Sequence, residues 1–199
     1  NRIFVERLEG IGVISGEDAI DLGLTGPNLR GSGVEFDLRR ATPYLFYNEM
    51  DFKVITHNEG DSLARYFVRV EEAYESAKIV RQILDKMPQG ETMANQPKKV
   101  LPKKAEVYSK MEELIHDFMI INFGINPPAG EIYSAVENPK GELGFYLVSK
   151  GEGSPWKCKI RSPSFVNLQA IPHLVKGRMI SDVVAIVGSL DPVMGEADK

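Results

Sequence analysis

An α+β fold, mainly helical, is what this sequence predicts, and three observations carry the prediction. From Asp61 to Met87 apolar residues recur at steps of three and four (Leu63, Tyr66, Phe67, Val70, Ala73, Ala77, Val80, Leu84, Met87), which is the period of a helix. A second run of the same period lies between Ala105 and Phe123. Between Gly130 and Arg161 the pattern changes to three short stretches rich in β-branched and aromatic residues, separated by glycine-containing turns, which read as antiparallel strands.

Taken in order, Asn1–Leu8 reads as the end of a helix closed by Gly10 and Gly12, as if the chain opened within a longer protein. Ser15 stands three residues before Asp18, a capping-box-like pair opening a short helix through Leu22. The glycine-rich stretch Leu29–Val34 precedes Asp37, Leu38, Arg39 and Arg40; glycines with an arginine suit either a phosphate cradle or a tight buried turn, and no phosphate-binding spacing is present. Residues 42–59 are irregular, with Tyr44, Phe46, Tyr47 and Phe52 expected to pack against the long helix. That helix is about 39 Å long at about 1.5 Å per residue. Asp61 or Ser62 is its cap, Pro88 its stop, and the core its expected surroundings.

Pro88–Lys104, with three prolines and several lysines, reads as a surface loop. In the second helix His116 lies beside the apolar stripe, as a hydrogen-bonded side chain or as a ligand. The strands are 131–137, 143–148 and 156–161, joined by Asn138-Pro139-Lys140-Gly141 and Lys150-Gly151-Glu152-Gly153. Cys158 alternates with charged neighbours, as a small packed hydrophobe would rather than a reactive thiol. Helices over 165–174 and from about Ser181 to Leu190 follow, the second capped by Ser181 or Asp182.

Composition narrows function by exclusion. A formal charge of −4 over 199 residues offers no basic surplus for nucleic acid or an anionic membrane. One cysteine cannot build a disulfide framework or a multi-cysteine metal site within this chain. The three histidines, His57, His116 and His173, are scattered, and no apolar run is long enough to span a bilayer. No nucleophile–base pair with triad-like support stands out.

Five ordered motifs spread along the chain carry a resemblance: LRGSGVEFDLRR (29–40), GDSLARYFVRVEE (60–72), PAGEIYSAVENPKGELGFYLVS (128–149), CKIRSPSFVNLQ (158–169) and ISDVVAIVGSLDPVMGEADK (180–199). Together they resemble the C-terminal half of the D subunit of respiratory complex I, the one that carries the quinone site. That family is similar in turn to the large subunit of nickel–iron hydrogenases, which implies a hydrogenase-large-subunit-like domain of which residues 1–199 are the second half. A hydrogenase of this type ends in D-P-C-x-x-C, whose thiolates bind nickel and iron; here Val193 and Glu196 stand at the two cysteine positions after Asp191 and Pro192. Valine cannot coordinate a metal, so the resemblance implies a lost metal site. The hydrogenase motif A-P-R-G resembles Asn138-Pro139-Lys140-Gly141, and the segment bordering the metal's diatomic ligands resembles Ser162-Pro163-Ser164, with Asn167 just beyond.

What the resemblance implies is a vacated cavity, where Pro139, Lys140 and Gly141, then Ser162, Pro163 and Ser164, then Val193 and Met194 wall the head-group end of a ubiquinone or menaquinone chamber. Apolar walls with a few polar groups suit such a ligand. Lys140 has two readings, a charge favouring the reduced quinone or an ion pair with Glu137, Glu142 or Glu196. Ser162 and Ser164 are read as turn and cap residues or as wall residues, and Asp182 as a cap. The family's quinone-bonding histidine and tyrosine belong to its N-terminal half, and none of the three histidines here matches. Electrons would come from an iron–sulfur cluster of the neighbouring B subunit, since this chain has no ligands for one. Implied partners are the B and C subunits and the membrane H subunit, with the protein peripheral on the cytoplasmic side of a bacterial membrane, or the matrix or stroma side in an organelle. The implied function is quinone reduction coupled to ion pumping. The alternatives are a scaffold of the peripheral arm, the equivalent subunit of a ferredoxin-dependent plastid-type complex, and an active hydrogenase relative.

Overall fold

The computed structural model describes residues 1–90, 93, 96 and 99–198; the rest of the expected 88–104 surface loop lies outside the described residues. In chain order the elements are α1 (Arg2–Leu8), α2 (Gly16–Asp21), α3 (Pro27–Arg30), α4 (Leu38–Ala41), α5 (Ser62–Lys86), α6 (Lys104–Val107) and α7 (Met111–Phe123). Strands β1 (Gly130–Asn138), β2 (Gly141–Ser149) and β3 (Lys157–Arg161) follow, then α8 (Pro163–Leu168), α9 (Ile171–Val175), α10 (Ile180–Leu190) and α11 (Met194–Ala197). The sheet order is β1-β2-β3, a small antiparallel meander, so the fold is α+β as predicted.

The chain divides into two compact units. The first holds Asn1–Met87, Ala135–Gly144 and the chain from Ile160 onward; the second holds Pro88–Ser134 and Phe145–Lys159. In the first, Ile14, Ala19, Leu24, Leu29, Ala170, Leu174, Ile186 and Leu190 form one buried cluster. A smaller one joins Met50, Phe52 and Ile79, with Tyr47 packed against it. The caps are those the sequence announces. Ser15 accepts from Asp18 N–H at 3.1 Å and donates to the Asp18 carboxylate at 2.7 Å. Asp61 accepts from Ala64 N–H at 2.7 Å and, with its other oxygen, from Gly10 N–H at 2.8 Å, tying the start of α5 to the loop after α1.

Five expectations need correction. The apolar stripe of α5 does not face the core: Tyr66, Phe67, Val80, Leu84 and Met87 are exposed, whereas Ser62, Ala64, Arg65, Val68 and Ile79 are buried. Helical period shows that an apolar stripe exists, but it does not say which face packs; here the packed face carries Arg65, which finds hydrogen-bond partners in the neighbouring loops. A Cβ on Gly31 would lie 2.9 Å from Arg65 Cγ. Arg65 itself is buried and donates to the carbonyls of Gly60 and Gly12 and to the hydroxyls of Ser62 and Ser189. Burial, with help from Arg69, lowers its pKa to about 10.

Next, the helix expected over 105–123 breaks into α6 and α7, and the apolar side chains Met111, Leu114, Ile115, Phe118 and Met119 are exposed. The helix expected over 165–174 is likewise split; Pro172 sits in the first turn of α9, where its missing N–H and fixed φ favour a new start. Cys158 is exposed, because β3 lies at the sheet edge and four of its five residues face solvent. Of the aromatic cluster, Tyr44, Tyr47 and Phe52 are in ring contact, but Phe46 is exposed. In the second unit His116 Nε2 lies 3.2 Å from the carbonyl of Val100, the hydrogen-bonded alternative for that residue.

Candidate functional site

The β1–β2 connection is the two residues Pro139 and Lys140, with Lys140 N–H donating back to the Asn138 side chain at 3.2 Å. Backbone packs on backbone here: Gly26 has φ +68, and a Cβ on it would lie 2.5 Å from Gly141 Cα. Gly141 has φ +135, and its Cβ would lie 2.5 Å from the Thr25 hydroxyl, which accepts from Glu142 N–H at 3.1 Å. Only glycine fits either place.

Three turns read from the sequence as one site are bonded together. Asn167, buried on α8, donates to the Lys140 carbonyl at 3.1 Å and accepts from Thr25 N–H at 3.4 Å. The Ser164 hydroxyl donates to the Glu196 carboxylate at 2.6 Å and accepts from Val193 N–H at 3.1 Å. The Lys140 ammonium pairs with Asp191, the left-handed residue (φ 53) that ends α10. Lys140 therefore makes an ion pair, but with Asp191 rather than Glu137, Glu142 or Glu196. Glu137 is held by Arg30, and Glu196 by Ser164.

Ser162 occupies the N-cap position of α8 but makes no side-chain cap bond, and its buried hydroxyl has no hydrogen-bond partner among the described residues. Asp182 does cap α10, accepting from Met179 N–H at 3.1 Å. Val193 and Met194 are exposed at the start of α11. Ser164→Ala removes both bonds to the chain end; the expected result is a loss of about 1–2 kcal/mol, read as a lower midpoint in denaturant.

Behind the Lys140 turn lies a cavity of about 410 Å³, lined among others by Pro139, Lys140, Asp191, Arg69, Glu72 and Glu137. Of the predicted site residues, Pro139 and Lys140 border it, whereas Gly141, Ser162, Pro163, Ser164, Val193 and Met194 do not. Arg30, 1% exposed, is also in its lining. Arg30 Nε donates to Glu72 at 2.6 Å, and Nη1 donates to Glu137 at 2.9 Å and to the Phe36 carbonyl at 2.9 Å. The buried turn is thus the outcome for the glycine-rich loop, its arginine engaged by carboxylates. Asp37 lies 4.0 Å from Arg30 and pairs with Arg39 at 2.6 Å. Arg69 stands 3.6 Å from Asp191 and donates to Asn28 at 2.9 Å.

Burial acts on Arg30, Asp37 and Glu137. It works against the Arg30 charge, yet Glu72 and Glu137 outweigh it and the Arg30 pKa rises. It also opposes ionisation of Asp37, but Arg39 and Arg30 hold that carboxyl below its ordinary 3.8. At Glu137 burial wins, aided by Asp37, and the pKa rises despite Arg30 and the Leu38 N–H. Sequence reasoning missed Arg30, Arg69, Glu72 and Glu137 as a group. The available signal was the polar line Arg65, Arg69 and Glu72, at steps of four and three on a helix otherwise read by its apolar residues.

Among the described residues no group of three or more His, Cys, Asp and Glu side chains is placed to hold a metal ion, and no helix is long and apolar enough to cross a membrane. The family model for the respiratory-chain NADH dehydrogenase 49 Kd subunit matches residues 1–199. The chain is similar to the D 1 subunit of NADH-quinone oxidoreductase from Chloroherpeton thalassium, with 63% identity over 199 residues, covering 100% of this chain and 45% of that protein. It is 55% identical to the D subunit of the Salinibacter ruber oxidoreductase over 200 residues, covering 100% of this chain and 44% of the relative. With the D subunit from Methylacidiphilum infernorum it shares 56% identity over 199 residues, covering 100% and 48%. The chain thus spans about half the length of the curated relatives it matches. On a match along its whole length, this chain belongs to the family of the respiratory-chain NADH dehydrogenase 49 Kd subunit.

Proposed function

We infer that this chain is the C-terminal half of a hydrogenase-like domain and supplies part of a quinone chamber wall in an ion-translocating NADH:quinone oxidoreductase. The observation that supports this is the bonding of three turns, at Lys140, Ser164 and Val193, the segments that resemble those bordering the metals of a hydrogenase. Val193 and Glu196 replace the two thiolates, and Glu196 is engaged by Ser164, so the donor set does not fit nickel and iron. Val193 and Met194 offer apolar contact to a quinone ring. Lys140, held by Asp191, places a cation beside oxygens that become negative on reduction. The relatives' names, which pair NADH with quinone, support the same reading. Electrons reach the quinone from an iron–sulfur cluster of the B subunit; the C and H subunits complete the surroundings, on the cytoplasmic face of the membrane.

A scaffold role for the same chain is favoured by a different observation, the exposed apolar stripes of α5 and α7. Lys140→Met and Val193→Phe in the assembled complex separate the two. For a chamber wall, the quinone KM or inhibitor sensitivity is expected to change about tenfold, as about 1.4 kcal/mol of altered contact would give. Lost assembly with unchanged kinetics in the complex that does form sinks the chamber and leaves the scaffold.

A further inference from the structure

One carboxylate oxygen of Asp191 lies against two cations. The Lys140 ammonium is bonded to Oδ2, and Arg69 Nε stands 3.6 Å from the same atom. That separation is just beyond hydrogen-bond reach. Arg69 Nε is nevertheless buried, with no hydrogen-bond partner among the described residues. A buried donor left unpaired costs stability, so its idleness calls for a reason.

The two cations are held differently. Arg69 Nη1 donates to the Arg65 carbonyl at 3.0 Å, and Nη2 donates to the Asn28 side chain at 2.9 Å. Asn28, 1% exposed, donates in turn to the carbonyl of Leu190 at 3.2 Å, the residue before Asp191. The guanidinium is thus fixed to the end of α10, with Nε beside the Asp191 carboxylate. Lys140 instead carries its ammonium on a flexible stem from a two-residue turn. The other cations lining the cavity have carboxylates of their own: Arg30 bonds Glu72 and Glu137, and Arg39 bonds Asp37. Glu72 also attracts Arg69 and Arg30 repels it, but Asp191 is the acceptor that Arg69 and Lys140 share.

We propose that Arg69 is a positioning residue for quinone reduction: its Nε takes over the Asp191 carboxylate as negative charge builds on the quinone, and the Lys140 ammonium is released toward the charged oxygen. A shift of about half an ångström brings Oδ2 within ordinary bonding distance of Nε. The exchange breaks one charge-assisted bond and forms two, since Asp191 passes to a donor now idle and Lys140 gains the quinone oxygen. No proton leaves Arg69, Lys140 or Asp191. The two electrons of quinol formation come from an iron–sulfur cluster of a neighbouring subunit, and its two protons come from water. Because Nε is unused while the quinone is oxidised, the extra bond exists only as charge develops, which favours kcat rather than binding. This rests on the chamber reading for the identity of the acceptor.

Arg69→Lys in the assembled complex is the test. Lysine keeps the charge but has no N–H midway along its side chain, so Asp191 stays with Lys140. The expected result is a kcat for quinone reduction about tenfold lower at an unchanged quinone KM. The same substitution should cost nothing further in Asp191→Asn, which has no carboxylate to pass on; asparagine tolerates the left-handed backbone there. Unchanged kinetics in R69K, an effect on KM alone, or an equal loss with and without D191N overturns the proposal, because a merely structural Arg69 acts independently of Asp191. Infrared difference spectra, oxidised minus reduced, decide the matter if R69K does not assemble. They should show a carboxylate band that D191N lacks; no such band, or one that survives in D191N, overturns the proposal. Unaltered quinone kinetics in both Lys140→Met and Val193→Phe sink the chamber and this role with it. Altered kinetics there, with R69K and D191N additive, sink the role alone.

Discussion

Replacing Arg30 with methionine is expected to destabilise the protein by about 3–5 kcal/mol. The side chain is a single guanidinium shared by Glu72 and Glu137, with Asp37 at 4.0 Å and the Phe36 carbonyl on the same nitrogen as Glu137. Methionine fills much of the volume but leaves two carboxylates with no cation between them, so removing the charge costs more than the lost hydrogen bonds alone. Adding Glu137→Gln to R30M should recover part of the loss, because one of the stranded charges disappears. Thermal unfolding of the three proteins measures both terms; a loss under about 1 kcal/mol for R30M, the range of a solvated surface pair, would refute the account. The same cluster sets opposite pH dependences. Asp37 is held below its ordinary 3.8, so its contribution is complete above that value and is lost as pH falls through the lowered pKa. Glu137 is raised above its ordinary 4.5, so its contribution is present at low pH and is lost as pH rises through the raised pKa.

Gly60→Ala should be nearly as damaging, at about 3 kcal/mol or more. Gly60 has φ +66, and a Cβ there would overlap the carbonyl oxygen of Ile14, a backbone atom with nowhere to retreat. That carbonyl cannot move freely because Ile14 N–H donates to the Gly60 carbonyl at 3.0 Å, Gly60 N–H donates to Gly31 at 2.9 Å, and Arg65 donates to the Gly60 carbonyl at 3.0 Å. The substitution therefore strains the joint between the first loop, the α3 turn and the start of α5. Gly90→Ala, where a Cβ meets nothing within 4 Å among the described residues, is the control and should leave the melting temperature unchanged within error. Equal melting temperatures for G60A and G90A would show that the joint is loose.

The elements whose signals are local came out of the sequence with good boundaries. Asp61 and Pro88 bracket α5, Ser15 caps α2, and the Asn138–Gly141 turn joins β1 to β2, because caps, prolines and two-residue turns act within a few residues of chain. The grouping of the Lys140, Ser162 and Val193 segments was also anticipated, through likeness to a family whose motifs keep those segments in order. The breaks before α7 and α9 were not, since the apolar period runs straight through them.

Chain periodicity, caps and motif order were enough to establish the α+β class, the long helix, the hairpin and the family. Folding in three dimensions chose which side of α5 is buried, gave Lys140 its partner in Asp191, and gathered Arg30, Glu72 and Glu137 from positions up to 107 residues apart into one cavity. The division has a physical basis. Hydrogen bonds of caps and turns are satisfied by neighbours in the chain, whereas a buried charge must find its counter-charge wherever packing brings one, and spacing along the sequence holds no record of that.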